Sequence, residues 1–246
     1  MKKLILATML CLGLAAVAPA WAGTLTYELW TDYTYGNQLG DVGTDFPDGL
    51  AAPNMQWLAD NAPTVSQVDV FQMDEPSLDY YAGRISGWLV PAVGGDYTFW
   101  LASDDDGRLW ISSDEDPAKK VLVCYIDGWC GWGDFERFDP ETLQPTGPGG
   151  GGGVGLQKAT RTLVAGKPYY VELMWSDGTG GGHGRVNWEG PIGARQDITS
   201  EYLRNIPWGA IDPIPADGAT EVGLGVQALS WDAAHPHGAT IASYEV

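Results

Sequence analysis

The feature that most limits the fold of this chain is its near lack of helical periodicity. From residue 23 onward, short runs rich in β-branched and aromatic residues alternate with Gly, Pro, Asn and Asp turn signals. Residues 25–30, 67–71, 83–90, 97–102, 108–112, 120–126, 159–163, 169–175 and 185–188 read as strands. Side chains alternate along a strand, so Tyr97, Phe99 and Leu101 share one face and Trp100 takes the other. Only residues 53–61 suit a short helix. Strands of this length and spacing predict an all-β, antiparallel sandwich or barrel.

Composition agrees with an ordered fold. The chain has 34 Gly and 16 Pro among 246 residues, short of a low-complexity composition. Its 12 Trp, 11 Tyr and 5 Phe supply apolar area enough to offset the entropy of ordering. The formal charge of -19 weighs against nucleic acid, since phosphate binding needs Lys and Arg to displace counterions. Anionic membrane surfaces are disfavoured on the same ground. Divalent cations and neutral ligands stay open.

Residues 1–22 read as a secretory signal peptide. Lys2 and Lys3 precede an apolar run, and Ala20-Trp21-Ala22 fits a cleavage site of the small-x-small kind. The run is short for a bilayer span, and no later segment is apolar enough for one. Removing the leader takes away two lysines and no acid, so the remainder is more acidic still. It leaves Cys124 and Cys130, an even count in an oxidising compartment, on either side of the turn dipeptide Asp127-Gly128. A disulfide is expected there, with two free, partly buried thiols as the alternative.

Two glycine-rich stretches interrupt the strands. Residues 147–155 are glycine except for Pro148 and Val154. Gly147, Gly149 and Gly152 match G-x-G-x-x-G by count, but no strand leads in and no helix follows, so a surface loop is expected. Residues 178–184 form the tip of a long hairpin. Residues 207–218 read as a linker, and 219–246 as the start of a second β-sandwich with strands at 222–231 and 241–246.

Residues 82–123 carry specific motifs. A strand ends in Gly87-Trp88-Leu89-Val90-Pro91, and a Gly-x-Tyr-x-Phe hairpin follows at Gly95, Tyr97 and Phe99. Ser103-Asp104-Asp105 and Leu109-Trp110-Ile111 come next. Later stand Ala165-Gly166-Lys167-Pro168-Tyr169-Tyr170 and Val186-Asn187-Trp188. Over residues 25–206 this pattern closely resembles the β-sandwich domain named after the anthrax toxin protective antigen. The tail, with Leu229-Ser230-Trp231 and Ser243-Tyr244-Glu245-Val246, resembles more weakly the start of a fibronectin type III-like or immunoglobulin-like domain.

The resemblance implies an extracellular module that often binds carbohydrate. In sugar-binding members, two adjacent Asp residues joined by a cis peptide hold a calcium ion that contacts sugar hydroxyls. Asp104 and Asp105 stand at those positions. A hard dication accepting several oxygens also suits two carboxylates that would otherwise repel. Spacing alone allows an acidic turn here instead, as Asp and Gly are ordinary turn residues. Asp106 either adds charge or fills the turn. Further ligands are expected from residues 178–187, where the family often has an acid just before a His. This chain has Gly182 before His183, which leaves Asp177 and Asn187 as substitutes.

Other groups carry weaker signals. Trp129 and Trp132 flank Cys130 in a loop and are candidates for sugar stacking, with burial as the alternative. Asp114-Glu115-Asp116 lacks the ligand spacing of an EF-hand and reads as a solvated turn. His235 and His237 lie in a Pro-broken loop. No Ser-His-Asp order or nucleophile elbow is present, so no enzyme is expected within these residues. The expectation is a secreted, calcium-dependent carbohydrate-binding module of a larger protein with further domains beyond Val246. Its partner would be a cell-surface or substrate glycan. The alternatives are a structural or protein-interaction sandwich, or the accessory domain of a secreted glycosidase.

Overall fold

The computed structural model describes residues 23–31, 55–146, 153–207, 210–214 and 230–233. The expected strands are present there, most of them longer than their sequence signal. They are β1 (Leu25–Trp30), β2 (Thr64–Val68), β3 (Gln72–Glu75), β4 (Tyr81–Leu89), β5 (Gly95–Asp104), β6 (Gly107–Ser112) and β7 (Lys120–Gly128). After them come β8 (Gly153–Leu156), β9 (Lys158–Leu163), β10 (Tyr169–Asp177), β11 (Gly182–Gly190), β12 (Gly193–Asp197) and β13 (Leu203–Arg204). The short helix α1 (Met55–Asp60) falls where it was expected.

Two antiparallel sheets result. The larger runs β2-β1-β4-β10-β6-β7-β8, with β13 continuing along the β4 edge past β1. The smaller runs β12-β11-β5-β9, with β3 beside the first half of β11. The alternation in β5 is realised: Tyr97, Phe99 and Leu101 are fully buried and join Ile85, Leu109 and Val171 of the other sheet in one core. Trp100 on the opposite face is covered by Arg195 and Lys158, 4.8 and 5.1 Å from its ring.

Trp175 of β10 sits at the centre of that core. Its ring stacks on Tyr27 at 5.9 Å and meets the edge of Tyr81 at 6.3 Å. Its indole N–H donates to Tyr81 Oη at 2.9 Å. Gly83 and Gly184 admit it, because a Cβ on either would lie 2.3 or 2.5 Å from the ring. Part of the outer face of the larger sheet is buried as well. Leu58 of α1 packs with Trp30, Ala82 and Met174, which explains the helix in an otherwise β chain.

Two of the places where the chain crosses from one sheet to the other changed an expected element. The strand expected at 67–71 ends at Val68 in the larger sheet and resumes as β3 in the smaller, with Phe71 N–H bonded to Ile198 O between them. The glycine-rich loop ends in β8, so its last residues are strand. Gly155 suits that place, since a Cβ there would lie 2.6 Å from the Phe138 ring. At Gln157 the chain then leaves β7 for β5. The buried Gln157 amide donates to Leu101 O at 3.0 Å and Asp134 O at 2.8 Å, and accepts from Phe138 N–H at 3.0 Å.

The expected disulfide is absent: Cys124 and Cys130 are buried free thiols. The turn at Asp127-Gly128 does not form, because β7 runs straight through it to pair with β8. Cys124 Sγ lies 3.9 Å from Phe99 O, and Cys130 N–H donates to Ser103 O four residues further along β5, which holds the two cysteines about 13 Å apart, beyond the roughly 7 Å between Cα atoms that a bridge tolerates. Burial pushes the Cys130 thiol up to about 12 and raises Cys124 further in the same direction. Residues read as linker also begin with a strand, β14 (Ala210–Ile214), paired to β15 (Ser230–Ala233). The leader, the strand at 241–246, and His235 and His237 lie outside the described residues.

Candidate metal centre

Strand ends build the site. β5 ends in Ser103-Asp104 and β10 ends in Ser176-Asp177. The bond from Asp104 to Asp105 is cis. Asp105 N–H then donates to Ser176 O at 2.9 Å, and Ser176 N–H to Asp106 O at 3.0 Å, so the loop after β5 lies along the end of β10. Asp104, Asp105 and Asp177 thereby offer carboxylate oxygens that all lie within 4.8 Å of one another.

The three carboxyls differ in support. Asp105 accepts a 2.9 Å hydrogen bond from Gly178 N–H. Asp177 is only 2% exposed, and neither of its oxygens has a hydrogen-bond partner among the described residues. Burial, then the charge of Asp105 and a hydrogen bond to it, lift Asp104 to about 6. Burial, then the charges of Asp105, Asp104 and Asp79, lift Asp177 to about 7. Burial also raises Asp105, against the Gly178 N–H. Three crowded carboxyls with too few donors resist ionising together unless a cation joins them.

The other candidates fall in different places. His183 on β11 pairs with Asp104 across the sheet, and its buried Nε2 lacks a partner among the described residues. Burial, then Arg185, hold its imidazole down to about 4. The Trp132 ring meets His183 edge-on at 5.3 Å, and Arg185 lies 4.9 Å over the same indole. Trp132 is half-buried and Trp129 is 37% exposed. Asp106 turns to another task, accepting from Gly128 N–H at 2.7 Å, and burial lifts it to about 7. Asn187 lies four residues along β11 from His183, about 13 Å away. It donates to Asp197 at 2.7 Å and is not brought to the carboxyls.

Gly182 explains the departure before His183. A Cβ there would lie 2.6 Å from Asp104 O, 2.6 Å from Asp177 Cβ and 2.7 Å from its Cγ. Asp177 fills the space that an acid at position 182 would need. The signal for its role was available in the matching Ser-Asp ends of the two strands. Gly182→Ala should therefore displace Asp177 and remove any thermal response to calcium. Differential scanning calorimetry with and without the ion measures this, and a full response in the variant would refute it.

No helix among the described residues is long and apolar enough to cross a membrane. No family model matches the chain. Over 118 residues, 46% of the chain, it is 33% identical to N-acetyl-beta-glucosaminyl-glycoprotein 4-beta-N-acetylgalactosaminyltransferase 1 of Mus musculus. Over 163 residues, 63% of the chain, it is 30% identical to fibrocystin of Canis lupus familiaris. Those stretches are 10% and 4% of the two proteins, so the chain spans a tenth or less of the curated relatives it matches. Among solved structures it is similar to the PA14 sugar-binding domain from an RTX adhesin, at 14% identity and a TM-score of 0.49, over 74% of this chain and 98% of that one. With the Gly-x-Tyr-x-Phe hairpin on β5, Ser103-Asp104-Asp105 at its end and Val186-Asn187-Trp188 beside it on β11, in two packed antiparallel sheets, the chain folds as a β-sandwich of the protective-antigen type.

Proposed function

We propose that the chain is an extracellular carbohydrate-binding module that holds its sugar through a calcium ion on Asp104, Asp105 and Asp177. The observation that carries this reading is Asp177, whose buried carboxylate has no partner for either oxygen among the described residues and sits within 4.8 Å of two others. A lone buried carboxylate is costly, and a further two beside it make the cost worse. A hard dication removes that cost. Calcium takes six to eight oxygens in a flexible shell, and three carboxylates leave positions for waters or for a sugar diol.

The residues around the carboxyls have binding work to do. Gly178 N–H orients Asp105, and Gly182 leaves room for Asp177. Trp132 is the better placed of the two loop tryptophans for contact with a sugar face, since its ring touches His183 and His183 pairs with Asp104. We read the module as non-catalytic and assign it to adhesion or to targeting a larger secreted protein to its glycan.

A glycan array read in calcium and again in chelator tests the proposal. Retention should appear only in calcium and should vanish in Asp105→Asn. Retention that ignores both chelator and variant sinks the mechanism. A calcium-dependent melting temperature without retention of any glycan points to a structural sandwich whose ion only stiffens the rim.

A further inference from the structure

A second site stands at the opposite end of the sandwich. β5 runs ten residues from Gly95, paired with Leu163, to Asp104, so the two ends are about 30 Å apart. One side of the sandwich is closed where β8 and β9 cross at Gln157. Away from that crossing the side is open among the described residues, where β8 pairs only with Tyr125 to Gly128 of β7 and β9 pairs only with β5. The opening is a cavity of about 500 Å³, within the usual size for a small-ligand site.

The lining is unlike the rest of this acidic chain. Lys119, Arg161 and Lys167 all face the cavity, and among the described residues no carboxylate lines it, although the chain has 32 acids against 13 bases. Lys119 is balanced by Asp114 at 2.6 Å. Among the described residues Arg161 and Lys167 make no such ion pair, although the Asp114 charge also reaches Lys167: Arg161 donates to Thr160 O, and Lys167 to Ser113 O while lying 5.2 Å over the Tyr169 ring. These contacts fix the two cationic heads at the mouth. Leu163 contributes to an apolar floor, and Val121, 54% exposed, offers an open apolar surface beside it. Lys158, Thr160 and Thr162 are exposed along β9, and such polar edges discourage strand addition, which weighs against an extended peptide.

We infer that this cavity binds an acidic saccharide, with its carboxylate or sulfate on Arg161 and Lys167 and the C–H face of its ring on Val121 and Leu163. Two cations fix an oxyanion, and the apolar wall distinguishes a sugar from a bare ion. The site uses no residue of the acid trio and stands or falls separately from the calcium reading.

Titration calorimetry on the calcium-free full chain carrying Asp177→Asn, which silences the trio, tests the inference. The probes are a uronate disaccharide, a sulfated disaccharide, a neutral disaccharide and inorganic sulfate. At least one acidic sugar should bind more tightly than the neutral one and than sulfate, and which of the two binds identifies the oxyanion. Arg161→Gln and Lys167→Gln should each weaken binding about tenfold, the value of one charge-assisted hydrogen bond. Lys158→Gln should leave it unchanged, and all three should melt like their parent. Equal binding of neutral sugar, equal binding of sulfate, insensitivity to both cavity variants, or no binding of either acidic sugar each overturns the inference.

Discussion

Asp177→Asn should raise the melting temperature of the calcium-free protein and erase its response to calcium. Both effects come from one carboxyl. Asp177 is 2% exposed, has no partner for either oxygen among the described residues and lies beside Asp104 and Asp105. An amide of the same shape removes the like charge, a relief of about 2 kcal/mol or roughly 4–8 °C for a domain of this size. The wild type should gain about 2.7 kcal/mol from calcium at about 100 times its dissociation constant, and the variant nothing. A substitution that merely damaged the fold would lower both readings, so the opposite signs are diagnostic. Scanning calorimetry in chelator and in calcium measures them together. A D177N variant that melts like the wild type and still responds to the ion would show that Asp177 holds no cation.

The largest loss of stability should follow Trp175→Ala, about 4–5 kcal/mol. The change empties the centre of the core and strands the Tyr81 hydroxyl, which accepts the indole N–H at 2.9 Å. Collapse into the gap is blocked because Gly83 and Gly184, pressed against the ring, have no side chains to move inward. Trp175→Phe should recover roughly half, since it restores a ring against Tyr27 but not the hydrogen bond. Urea unfolding measures both. An alanine variant within about 1 kcal/mol of wild type would mean that Trp175 does not hold the two sheets together.

The strands were legible in the sequence because alternation reports directly which side chains face a core, as Tyr97, Phe99 and Leu101 do in β5. The crossings between sheets were not, because period-2 patterning gives the face of a residue and not its sheet. That is why residues 67–71 were read as one strand and the end of the glycine run as loop. β12 was missed because Gly193-Ala-Arg-Gln-Asp is polar and exposed and carries no alternation. The disulfide failed on turn chemistry: Asp-Gly allows a tight turn, but pairing of β7 with β8 kept the backbone extended. Asp104 and Asp105 were marked by a local motif. Asp177 could be named only as one of two substitutes, because its place beside them depends on how β5 and β10 end at one rim.

That rim gives the domain two kinds of fastening. Asp104 and Asp105 come from the smaller sheet and its exit loop, and Asp177 from the larger. At the centre the layers are held by Trp175, whose hold does not depend on the surrounding medium. At the rim they meet through three crowded carboxyls. If calcium joins them, as proposed, its loss should loosen the rim locally while the core stays folded, so that the protein would release its sugar without unfolding and regain it when the ion returns.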